Sequence, residues 1–165
     1  MLCFPTRKKI FDMQNKIQSF NDFLQKLVGL ELFYGIKAPD LHFYDLGFGC
    51  PVESESYDQT KRVLSPYILH ATCDFEIVWK NNSHVDSFNC ETHKEFFDHY
   101  FLTQLKGLII EHVTLKNNNE LNLHLKNCCI TFSPFNDDVE SWRIFSTIDK
   151  EAPHLVASSI KIDFE

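Results

Sequence analysis

ELNLHLKNCCITFSPFNDDVESWRIFSTIDKEAPHLVASSIKIDFE, residues 120–165, decides the fold class. Leu121, Leu123 and Leu125 alternate with Asn122 and His124, the period of a strand with one buried face. Lys126-Asn127 is a short turn, and Ile130 and Phe132 continue the apolar face on the way back. Residues 140–146 and 154–164 each offer a further strand. Short alternating strands separated by polar turns pair antiparallel, with one side toward a core and the other toward water.

The same period runs through residues 67–80. Tyr67, Leu69, Ala71, Cys73, Phe75, Ile77 and Trp79 share one face; His70, Thr72, Asp74, Glu76 and Lys80 share the other. Residues 31–36, 41–47 and 108–116 read as strands as well. Two segments change period. In residues 7–28, Ile10, Met13, Ile17, Phe20, Leu24 and Leu27 recur at spacings of three and four, and Gly29 follows at the place of a C-terminal cap. In residues 91–106, Phe97, Phe101 and Leu105 fall four apart, and Gly107 stops the run. Residues 48–65 are rich in Pro, Gly, Ser and acidic side chains and predict a flexible loop. Strands grouped rather than alternating with helices give an α+β fold. The expectation is a mostly antiparallel sheet with an N-terminal helix and one central helix packed on a face, in one domain spanning residues 1–165.

Charge narrows the function classes. The chain has 16 Lys and Arg against 23 Asp and Glu, a net charge of −7. That balance disfavours nucleic acid, whose binding depends on neutralising phosphates with cations. No apolar run approaches the roughly 20 residues that span a bilayer, so no membrane partner is expected. The N-terminal residues carry charges where a signal peptide needs an uninterrupted apolar stretch, and the expected location is the cytoplasm. Cys3, Cys50, Cys73, Cys90, Cys128 and Cys129 lack paired spacing and read as reduced small hydrophobes. On a strand, one of Cys128 and Cys129 must point inward and the other outward.

Motifs for bond-making chemistry are missing. His93 and His99 lie six apart on a predicted helix, where convergence on a metal needs a spacing of four. His42, His70, His112 and His124 lie on separate strands and could meet only across a sheet, with Cys73 near by. The expected reading is surface histidines, with no metal and no cofactor. Gly47-Phe48-Gly49 lacks the third glycine and the strand-to-helix context of a dinucleotide site. No nucleophile elbow surrounds any Ser, and the carboxylate pairs Glu53 with Glu55 and Asp137 with Asp138 fall in predicted loops. No catalytic residue is assigned.

Surface carboxylates are what remain. Asp74 and Glu76 project from the polar face of residues 67–80, and Asp137, Asp138 and Glu140 crowd the turn before Trp142. These five are the candidate partner-binding residues, since a cluster of carboxylates steers a basic partner. The run Asn127-x-x-Ile130-x-Phe132-x-Pro134, followed by Glu140-Ser141-Trp142-Arg143-Ile144-Phe145 and His154-Leu155-Val156, resembles the end of small bacterial immunity proteins of polymorphic or contact-dependent toxin systems. The resemblance covers the last third of the chain. It implies a protein partner, a toxin domain neutralised by binding; the charge of −7 favours a basic one of nuclease type, whose phosphate-binding face it would complement. Two other readings stand beside it: a small enzyme or ligand-binding domain with a pocket between sheet and helices, and a structural or regulatory module.

Overall fold

The apolar alternation of residues 67–79 continues without a break, yet the backbone changes partners in the middle of it. Thr72 N and Cys73 N both donate to Ser141 O, at 2.8 and 3.2 Å, and the run divides there into two strands that join different sheets. The computed structural model describes residues 7–37, 43–55, 61–86, 96–135, 138–149 and 151–165. In order they form α1 (Arg7–Gln25), β1 (Leu32–Lys37), β2 (Tyr44–Phe48), β3 (Val52–Glu55), β4 (Lys61–Leu64), β5 (Tyr67–Ala71), β6 (Asp74–Trp79) and β7 (His84–Asp86). Then come α2 (Phe96–Tyr100, continued by a wider π-turn over Phe101–Leu105), β8 (Ile110–Leu115), β9 (Leu121–Leu125), β10 (Cys128–Ser133), β11 (Trp142–Ser146), β12 (Leu155–Ala157) and β13 (Ile162–Phe164). The fold is α+β and mostly antiparallel, with an N-terminal and a central helix.

A six-stranded sheet runs β1-β2-β5-β11-β12-β13, and a five-stranded sheet runs β7-β6-β10-β9-β8. Every recorded pairing is antiparallel. Besides the passage from β5 to β6, the sheets are joined where the chain before β1 meets the chain before β8. Gly29 N donates to Ile110 O at 2.8 Å, Ile110 N to Leu30 O at 3.0 Å and Leu32 N to Leu108 O at 2.9 Å.

Cross-strand partners share a face, so register identifies the core. In the larger sheet the row Tyr44, Ala71, Trp142, Ala157 alternates large with small, and the two alanines give the indole its space. Trp142 is fully buried, and its Nε1 donates to Asn119 O of the β8–β9 turn at 3.0 Å, tying one sheet to the other. Phe75 of β6 meets Tyr44 at 4.8 Å and Phe97 of α2 at 5.6 Å, so both sheets and α2 share one core. Phe101 lies on bare backbone: a Cβ at Gly35 would stand 2.3 Å from its ring.

Helix α1 buries Phe20, Phe23 and Leu24, the turn after it buries Leu27, and Phe20 and Phe23 pack on Phe164 of β13 at 5.2 and 5.7 Å. Ile17, read as part of that stripe, is instead half-exposed. Gly29 has φ of +85°, the left-handed conformation that closes the segment.

Three further expectations change. The loop expected over 48–65 contains the β3–β4 hairpin, in which Glu53 stands opposite Val63 and Val52 opposite Leu64. Its charged, Ser-rich composition hid the pairing. Residues 154–164 form two strands, not one. The chain reverses at Ser158–Lys161, where Ser158 N donates to Lys161 O at 2.8 Å and Lys161 N to Ser158 Oγ at 3.2 Å. Residues 84–86, not read as a strand, pair as β7 along the edge beside β6. Predicted strand residues 41–42 and helix residues 91–95 lie outside the described residues.

Candidate functional site

Register also builds the outer face of the larger sheet. Asp45, His70, Arg143, Val156 and Asp163 stand side by side across β2, β5, β11, β12 and β13. Asp45 Oδ1 lies 2.7 Å from His70 Nδ1, and the Phe43 ring covers that imidazole at 4.5 Å. Arg143 grips Glu140 with two parallel donors: Nε reaches Oε1 at 2.6 Å, and Nη2 reaches Oε2. Its Nη1 lies 3.2 Å from His154 Nδ1, and Phe145 stacks on the His154 ring at 5.1 Å.

The electrostatics follow from these contacts. The Arg143 hydrogen bond holds the Glu140 carboxyl below its ordinary range, against the opposing push of partial burial. Partial burial lowers His154 first, and the neighbouring Arg143 adds to it. A direct ion pair with Lys16 Nζ at 2.9 Å holds Asp163 down as well.

Beside this network a cleft of about 220 Å³ opens between the turn before β11 and the β12–β13 hairpin. Asp138, Glu140, Asp163 and Glu165 line it, with Lys161 and Ser158. Exposed Val139 lies between two of those carboxylates in the chain, and exposed Ile160 precedes Lys161. The cleft therefore brings four carboxylates together with one lysine. Such an arrangement suits a cationic group.

The five candidate carboxylates separate into two groups. Asp138 and Glu140 reach the cleft. Asp74 and Glu76 do not; they face outward from the smaller sheet, opposite Ser133 and Thr131. Glu76 there meets His84 Nε2 at 3.3 Å. Asp137 lies outside the described residues. Asp163 and Glu165 were missed because their segment was read only as a strand. The signal was present in Ile162-Asp163-Phe164-Glu165, whose alternation sends both carboxylates to one side.

The histidines and cysteines resolve too. His70 belongs to the larger sheet, while His112 and His124 stand opposite each other in the smaller one, rings stacked at 4.1 Å. His42 and His93 lie outside the described residues. Asp98, adjacent to His99, instead accepts the Lys37 N–H at 3.0 Å. Cys128 faces the core and Cys129 the open side, as alternation required. Burial pushes the thiols of Cys73 and Cys128 up to about 12. Among the described residues no group of three or more His, Cys, Asp or Glu is arranged to hold a metal ion.

The space between the sheets and α2 is filled. Tyr44, Leu46, Phe75, Phe97, Leu105 and Phe132 close around it and leave no room for a water molecule, so this part of the interior offers no ligand pocket. No helix among the described residues is long and apolar enough to cross a membrane. No protein-family model, curated protein or solved structure matches the chain.

Proposed function

We propose that this protein is a non-enzymatic binding protein that captures a basic protein partner at the acidic cleft. In its specific form it is an immunity protein that holds a bacterial toxin domain of nuclease type in an inactive complex. The observation that carries the reading is the convergence of Asp138, Glu140, Asp163 and Glu165 on one opening. Glu140 and Asp163 are already engaged by Arg143 and Lys16, so Asp138 and Glu165 carry the charge that a partner meets. The net charge of −7 has the same sign. A nuclease is basic where it holds phosphate, so its active face is electrostatically complementary to this one. The immunity assignment rests on the likeness of residues 127–156.

The test is to look for a toxin-like reading frame beside this gene and co-express its domain with this protein, together with measured association rates. Protection is expected at fixed stoichiometry. The on-rate should fall as salt rises while the off-rate changes less, because steering acts on encounter. Asp138→Lys with Glu165→Lys should slow association without unfolding the protein, since exposed carboxylates contribute little to stability. An acidic partner, or an on-rate indifferent to both salt and the double reversal, refutes the cleft mechanism.

A further inference from the structure

On the open face of the smaller sheet, β8 contains a bulge. Ile110 pairs with Leu125 and His112 with His124, so Glu111 is an extra residue in β8 with no partner across the ladder. Glu111 and His112 are therefore consecutive exposed residues, while Ile110 and Val113 on either side are buried. Bulges of this kind re-aim side chains and concentrate near functional sites. The result is a directly opposed cross-strand pair of imidazoles, stacked at 4.1 Å with 18° between their planes. Thr114 Oγ1 lies 3.0 Å from His124 Nε2 and orients that ring. Cys129 is the next residue in the same row, opposite His124 on β10.

We propose that His112 and His124 form a two-histidine chelating site for a borderline divalent transition metal such as Zn²⁺. Imidazole nitrogen is the donor that suits zinc, copper and nickel, and nothing in this row favours the hard cations that need several oxygens. With Zn–N bonds near 2.0–2.1 Å, two ligand nitrogens on a tetrahedral ion stand about 3.4 Å apart. The rings are stacked at 4.1 Å with 18° between their planes, so chelation requires both to turn about their side-chain bonds until their planes converge on the ion. Directly opposed positions on adjacent strands, with Cβ atoms about 4.5–5.5 Å apart, put two nitrogens within reach of that spacing. Both are anchored on paired strands, which limits the conformational freedom lost on chelation. The pair supplies two positions, and solvent occupies the others.

The experiment titrates the intact protein with Zn²⁺, and separately with Co²⁺ followed by its visible absorption. Thermal unfolding is recorded with Zn²⁺ and with EDTA. One saturable site is expected, with a higher melting temperature in Zn²⁺ because the ion binds only the folded pair. His112→Gln and His124→Gln should each weaken binding roughly tenfold or more, since even outer-shell changes cost 10–100-fold. Cys129→Ser and His99→Gln should bind as the parent does. All four variants change exposed or half-exposed positions, and circular dichroism verifies that each is folded. Absence of saturable binding overturns the proposal. So does undiminished binding by the His112→Gln/His124→Gln double variant, or loss of binding in Cys129→Ser alone.

Discussion

Trp142 and Trp79 lie on apolar faces of adjacent sequence pattern, yet they differ in their surroundings. Trp142 is fully buried between Ala71 and Ala157 and donates to Asn119 O. Trp142→Ala should cost about 3–5 kcal/mol by urea denaturation, as large-to-small changes of buried aromatics do. Trp142→Phe keeps most of the volume but leaves Asn119 O without its donor, and should cost about 1–3 kcal/mol. Trp79 is only half-buried, with Nε1 donating to Tyr100 OH at 2.6 Å, so its truncation should cost less than that of Trp142. Alternation revealed that both indoles face inward. It could not reveal how deep each lies, because depth depends on which element covers the strand at that point.

The turn into β11 and β11 itself couple stability to pH. Glu140 titrates below its ordinary value in the folded protein, held by Arg143. Its contribution is therefore present above the unfolded carboxyl value, about 4.3, and is lost as pH falls through the folded one. His154 is also lowered, by partial burial and then by Arg143, so the folded state disfavours its proton. Its contribution is present above about pH 6.5 and is lost as pH falls through the folded value. Urea midpoints should thus decline first between pH 7 and 5 and again below about pH 4.5. His154→Gln should reduce the first decline, although His124, lowered in the same direction, retains part of it. A midpoint that rises on acidification from pH 7 to 5 contradicts this account.

The two sheets should unfold together. They share one buried cluster, and they are joined by the Trp142–Asn119 hydrogen bond and by the backbone bonds between residues 29–32 and 107–110. Trp142 reports from the larger sheet and Trp79 from the smaller. Trp79→Phe and Trp142→Phe each leave one fluorophore, and fluorescence and circular dichroism should give coincident transitions within each variant. Separate midpoints for the two signals would mean that the sheets unfold as independent units.

Strand alternation and helical spacing were enough to place most elements and to choose α+β, because those periods are local consequences of which face is buried. Leu121, Leu123, Leu125, Phe75 and Ile77 all face inward as that pattern requires. Alternation carries no mark of hydrogen-bond partners. The period through Thr72 and Cys73 is unbroken, and only the capture of both N–H groups by Ser141 O divides that run between two sheets. The spacing of three from Ile110 to Val113 was a legible trace of the bulge, but its consequence, His112 beside His124, required β9 to be in place. The acidic cleft is likewise a product of assembly. Asp138 and Glu140 are separated in sequence from Asp163 and Glu165, and they converge because β11 pairs with β12 and β12 with β13. Burial periodicity is a property of each segment alone, whereas a site is made by the register between segments.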